Sequence, residues 1–164
     1  MDGWEYVRRR NEEDMGNARY VHTNIVAKDW RRLARFYTDV FGCKPKLPER
    51  DLKGSWLDAL TSLEGAHIQG IHLLLPGTSE GGATLEIFQY SNSINDLGKE
   101  INMEGFGHIA FAVEDVEKCL KEVLDNGGST VGYTVKGDIP GVGELHVVYA
   151  RDPEGNIVEI QKWA

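Results

Sequence analysis

Apolar positions recur at helical spacing twice along this chain, and each time alternating, strand-like segments follow. Leu33, Phe36, Tyr37 and Val40 mark one face of a predicted helix over Trp30–Phe41. Val116, Cys119, Leu120 and Val123 do the same for a second helix over residues 116–126. Asp29 and Asp115 stand where an N-cap would, with a side-chain oxygen available for the free N–H groups of the first turn. Gly42 and Gly127 lie where the chain must leave each helix. Residues 66–75 and 83–90 read as strands around a Pro76-Gly77 turn, and residues 144–150 and 156–163 as strands around Asp152-Pro153-Glu154-Gly155. Ahead of each helix a short apolar run opens on a histidine, His22 or His108, placed seven residues before the capping aspartate.

The order is therefore strand, helix and about three strands, written twice, which predicts an α+β fold of two βαβββ modules. Residues 20–90 form the first module, 91–105 a polar linker and 106–164 the second. Residues 1–19 are charged and carry Trp4 and Tyr6, as an appended arm or helix would. Within it, Arg8-Arg9-Arg10 is balanced by Glu12, Glu13 and Asp14, the pattern of a solvated face. Residues 47–55 are polar and read as a loop bordering a cleft.

The repeat carries a chemical signal. Glu86 lies between Leu85 and Ile87, and Glu159 between Val158 and Ile160. A carboxylate embedded among strand aliphatics is costly unless it has a partner. Each Glu is matched to a His at a similar point of the repeat, so a divalent metal is the expected shared partner. His22, Glu86, His108 and Glu159 are the candidate ligands. Imidazole and carboxylate donors suit Zn, Ni, Co, Mn or Fe. Alternate strand residues share a face, so all four side chains can project from one side if their strands line one cupped sheet. His67 and His72 lie five apart on one predicted strand and point to opposite faces, so both are expected to be surface or packing residues, as is His146. Core packing is the expectation for Trp56, Phe88, Phe106 and Tyr133.

Composition narrows the function classes. The net charge of −8 argues against nucleic-acid binding, which needs a basic surface. Cys43 and Cys119 form neither a metal spacing nor a disulfide framework, which fits a reducing, cytoplasmic setting. No apolar run approaches the ~20 residues that span a bilayer, and the N-terminus lacks the basic-then-apolar order of a signal peptide. Gly81-Gly82 and Gly141-Val142-Gly143 are turns and not phosphate loops, because no helix start with Lys-Ser/Thr follows.

Over residues 20–163 the chain resembles the vicinal oxygen chelate superfamily, which includes glyoxalase I, methylmalonyl-CoA epimerase, extradiol dioxygenases and bleomycin-resistance proteins. The resemblance is carried by five stretches. They are His22-Thr23-Asn24-Ile25-Val26, Phe36-Tyr37-Thr38-Asp39-Val40-Phe41-Gly42, Leu85-Glu86-Ile87-Phe88, Gly107-His108-Ile109-Ala110-Phe111, and Asp152-Pro153-Glu154-Gly155-Asn156-Ile157-Val158-Glu159. It implies paired modules forming a cupped mixed sheet around a central metal cleft, and a homodimer. It places His22, Glu86, His108 and Glu159 on the four ligand positions, with Glu159 as general base and Glu86 as its catalytic partner. The implied activity is that of a metal-dependent lyase or isomerase enolising a small substrate through vicinal oxygens. The alternatives are a non-catalytic, resistance-type binding protein for a small molecule, or an Fe(II) dioxygenase. Two positions depart from bacterial glyoxalase I: Val26 stands where an Arg serves glutathione recognition, and Tyr90 where an Asn does.

Overall fold

The computed structural model describes residues 19–94 and 100–164; most of the predicted arm over residues 1–19, and the middle of the 91–105 linker, lie outside them. The first half runs β1 (His22–Val26), α1 (Trp30–Phe41), β2 (Lys44–Lys53), α2 (Ser55–Thr61), β3 (His67–Leu74) and β4 (Thr84–Tyr90). The second runs β5 (Ile109–Ala112), α3 (Val116–Asp125), β6 (Ser129–Thr130), β7 (Val135–Ile139), β8 (Gly143–Arg151) and β9 (Ile157–Trp163). Strand order is β1-β4-β3-β2 in one sheet and β5-β9-β8-β6 in the other, with β7 also paired to β8.

Both halves solve the same connection problem. β1 pairs parallel to β4 and β5 parallel to β9, while the later neighbours are antiparallel. Parallel pairing needs a crossover, and the helix supplies part of it in each half. Asp29 accepts a hydrogen bond from the Arg32 amide at 3.0 Å, and Asp115 one from the Lys118 amide at 2.9 Å, so the two caps form as the sequence predicts. At the end of α1, Gly42 takes φ +70° and donates its N–H to the Thr38 carbonyl at 3.1 Å, a left-handed stop that favours glycine.

One core serves both halves. Leu33, Phe36, Tyr37 and Val40 of α1 and Val116, Cys119 and Val123 of α3 pack in a single buried cluster. Ile71, Leu73, Leu85 and Ile87 join it from the first sheet, and Val148, Ala150, Val158 and Ile160 from the second. Phe41 stacks on Phe111 across the halves, with centroids 4.2 Å apart. Polar contacts reinforce the join. The Tyr37 hydroxyl donates to Asp152 at 2.9 Å, and Glu154 accepts from the Lys28 and Asp29 amides at 2.7 and 2.8 Å. Burial raises the Asp152 pKa, opposed by its hydrogen bonds from Asn156, Glu154 and Tyr37.

Because period-2 strands spend one face on this core, the alternate residues line a second face. On the first sheet that face carries Glu86 and Phe88 of β4 and Ile68 and His72 of β3. Phe88 and Ile68 pack with Leu57 of α2 and Ala66 in a smaller cluster, so an apolar pad lies beside the polar group. Two expectations are corrected here. Most of the predicted 47–55 loop belongs to β2, an edge strand on β3 with an irregular register between Lys46 and Arg50. Its exposed, proline-containing sequence has no apolar period to betray it. Phe88 is buried as expected, but Trp56, Phe106 and Tyr133 are 54%, 78% and 93% exposed. None of the described helices is long and apolar enough to cross a membrane.

Candidate metal centre

The ladder places each His–Glu pair by the same rule. Across β1 and β4, Asn24 is the register partner of Glu86; across β5 and β9, Ala110 is the partner of Glu159. His22 and His108 each stand two residues earlier, His22 opening β1 and His108 immediately preceding β5. His22 Nε2 lies 3.6 Å from Glu86 Oε2, and His108 Nε2 lies 2.9 Å from Glu159 Oε2. Glu86 is only 9% exposed, on a strand whose other face is core. Its carboxylate also accepts from the Asn24 amide at 2.9 Å.

A third residue joins each pair, again at matching positions. His72 of β3 is directly across from Glu86, and Tyr149 of β8 directly across from Glu159. His72 Nε2 is 2.8 Å from Glu86 Oε1, and its ring meets that of His22 edge-on at 5.7 Å. The Tyr149 phenol is hydrogen-bonded to Glu159, and its ring meets that of His108 at 5.1 Å. Burial lowers the His72 pKa, opposed by the Glu86 charge and assisted by Arg50 and His22. Burial thus favours the neutral imidazole, the form that ligates metals. Burial raises the Tyr149 pKa, and the Glu159 carboxylate adds to the rise, so this phenol remains a proton donor.

His22 is thus brought to Glu86, and His108 to Glu159, but the two pairs remain separate within one chain. Among the described residues, a single group of three possible ligands has donor atoms all within 4.8 Å of one another: His22, His72 and Glu86. His72, expected as a surface or packing residue, is thus a partly buried side chain that also lies beside Glu86. The missed signal was cross-strand register: with β3 and β4 antiparallel, His72 and Glu86 occupy one rung and share a face. His67 and His146 do stay outside the group, pairing with Asp51 at 2.8 Å and Glu117 at 3.0 Å.

Between the halves lies a cleft of about 710 Å³, lined by Asn24, Lys28, Phe106, His108, Arg151 and Asn156 among others. Asn24 ties its wall to Glu86 and His108 ties it to Glu159. A volume of this size accommodates a small organic molecule.

Residues 19–160 match the model of the Glyoxalase/Bleomycin resistance protein/Dioxygenase superfamily. The chain belongs to this superfamily. It is 29% identical over 144 residues to a lactoylglutathione lyase of Arabidopsis thaliana, covering 88% of this chain but 44% of that protein, so it spans less than half the length of this relative. It is 24% identical over 147 residues to the "Probable lactoylglutathione lyase" of Vibrio parahaemolyticus, covering 89% and 91% of the two chains. Among solved structures, a glyoxalase family protein from Bacillus cereus superposes with a TM-score of 0.71 at 17% identity, covering 93% of this chain and 97% of that one. That likeness is one of fold, and it agrees with the α+β architecture of paired sheets and helices.

Proposed function

We propose that this glyoxalase-superfamily protein is a metal-dependent lyase or isomerase that enolises a small oxygenated substrate. The carrying observation is the duplicated pairing of a sheltered carboxylate with an imidazole, at 3.6 and 2.9 Å, on matching rungs of the two halves. A cleft that only sequesters a ligand gains nothing from two such carboxylates. His22, Glu86, His108 and Glu159 are the residues assigned to hold a divalent ion, Zn, Ni, Co, Mn or Fe. The donor set fits: two carboxylates neutralise the ion, and two imidazoles add no charge. Because the two pairs stay apart within one chain, a homodimer completes the set, with His22 and Glu86 of one subunit facing His108 and Glu159 of the partner subunit.

Bound there, the ion would polarise a substrate carbonyl and acidify the neighbouring C–H. Glu159 is the base that takes this proton, since it stands beside the cleft-lining His108 and is held by the Tyr149 phenol. Glu86, fixed by His72 and Asn24, is the second carboxylate, available to exchange the proton on the other side of the substrate. The names of the Arabidopsis and Vibrio relatives, both lactoylglutathione lyases, support a lyase. Val26 and Tyr90 leave out two groups used for glutathione, which weakens a glutathione hemithioacetal as the substrate; the adjacent oxygens define the substrate class.

Solvent deuterium exchange tests this directly. The protein is loaded with each ion in turn and incubated in D2O with α-hydroxyketones and thiol–ketoaldehyde adducts. Metal-dependent deuterium incorporation beside the carbonyl, lost in Glu159→Gln, is the expected result. A protein that binds the ions and the compounds yet exchanges no proton with any of them is a binding protein.

A further inference from the structure

Nothing in the paired His–Glu pattern calls for His72, yet its imidazole is in direct contact with Glu86. Its Nε2 lies 2.8 Å from Glu86 Oε1, closer than the 3.6 Å separating His22 from the same carboxylate. The three donor atoms fall within 4.8 Å of one another, whereas ligands of a four-coordinate zinc-sized ion with bonds of about 2.0–2.1 Å lie roughly 3.3 Å apart. Small side-chain rotations therefore suffice to close the three around one ion. The ring is also held in a ligating orientation. His72 Nδ1 is 3.0 Å from the hydroxyl of Thr84, a buried residue on the same face of β4, which leaves Nε2 directed at Glu86. A metal-binding imidazole normally has such a partner on its other nitrogen.

The second half makes the contrast. At the rung equivalent to His72 it carries Tyr149, a phenol hydrogen-bonded to Glu159 in place of a second imidazole. The two half-sites, alike in their His and Glu, therefore differ in their third member. Two imidazoles and one carboxylate on a single sheet make a complete facial set, with positions left open on the other side of the ion.

Accepting the metal-dependent reading above, we infer that the ion resides on the first half, held by His22, His72 and Glu86 of one subunit. His108 and Glu159 close over it without being needed to retain it. Glu159 is then free of the duty of holding the ion and stays available as a base.

Cobalt(II) binding to the full chain separates these roles. Wild type, His72→Ala, His72→Gln, His108→Ala and Glu159→Gln are titrated with Co(II), following visible absorption and stoichiometry, with circular dichroism confirming the fold. The expectation for His108→Ala and Glu159→Gln is one ion per chain with affinity reduced by less than about tenfold. The His72 variants should lose at least about a hundredfold, beyond the 10–100-fold typical of an outer-shell partner, with a changed visible spectrum. The glutamine variant keeps a side chain of similar length at the site, so a loss there is not a consequence of unfolding. Wild-type affinity and spectrum in the His72 variants would overturn the inference, as would equal losses in all four variants. Either result leaves the general metal-dependent reading standing. Failure of the wild type to bind Co(II), Zn(II), Ni(II), Mn(II) or Fe(II) would remove that reading itself, and this inference with it.

Discussion

Replacing Tyr37 by Phe probes the join between the halves with a single atom removed. Tyr37 is fully buried in α1, where its ring lies against Phe36, Phe41 and Phe111. Phe preserves those contacts. What disappears is the 2.9 Å hydrogen bond from the hydroxyl to Asp152, a carboxylate in the turn before β9. Asp152 keeps its bonds from the Glu154 amide and the Asn156 amide and side chain, so it is weakened and not orphaned. A hydrogen bond to a charged group contributes about 1.5–3 kcal/mol. We expect Tyr37→Phe to cost about 2 kcal/mol, which for a chain of this size lowers Tm by roughly 4–8 °C. The assay is urea denaturation with the m-value checked for constancy, repeated with Asp152→Asn and the double variant. A coupling energy of about 1 kcal/mol or more is expected between the two sites, since they are in contact. The penalty also has a signed pH dependence. The folded pKa of Asp152 is raised, so the stability present below its ordinary value of 3.8 is lost as pH rises through the folded value. Tyr37→Phe removes a donor to the charged form and raises that folded value further. Its penalty is therefore larger at pH 7 than below pH 3.8, where the carboxyl is protonated. A change below about 0.5 kcal/mol at pH 7, the level of an ordinary surface substitution, would refute the reasoning.

Three further outcomes follow from the same geometry. A Cβ at Gly70 would lie 2.1 Å from the Ile87 carbonyl oxygen and 2.5 Å from Phe88 Cδ1, so Gly70→Ala should destabilise the chain by about 2–3 kcal/mol through forced separation of β3 and β4, read as a shifted urea midpoint. Burial pushes the Cys43 and Cys119 thiols up to about 12 and about 11, so a thiolate-specific disulfide reagent at pH 8 should label neither in the folded protein and both in denaturant. Prompt labelling of the folded protein would contradict the shared core. Thr84→Val keeps the shape of the residue but removes the hydroxyl 3.0 Å from His72 Nδ1, and Co(II) affinity should fall about 10–100-fold with little change in Tm.

Much of this architecture was legible because the features that make it are local and repeated. The apolar faces of α1 and α3, their Asp caps and the glycine stops follow from neighbours within a few residues, and the duplicated order fixes the fold class. The His–Glu pairs were legible for the same reason, since each His stands seven residues before a capping Asp and each Glu lies between strand aliphatics. What escaped depends on pairing between distant segments. β2 is exposed along most of its length, so its sequence lacks a period, and only pairing with β3 makes it a strand. His72 and Tyr149 acquire their importance from the rung they share with Glu86 and Glu159, which is set by the register of antiparallel strands joined by irregular turns. Phe106 and Tyr133 were expected inside because aromatic rings usually are; both lie outside regular elements, where no packed face claims them.

The most direct test of the metal centre is metal content by mass spectrometry on protein purified without chelators, for the wild type beside His22→Ala and Glu86→Gln. Close to one Zn, Ni, Co, Mn or Fe ion per chain is expected in the wild type, with a clear loss in both variants. A wild type that retains no ion, even after exposure to each metal and dialysis, would contradict it.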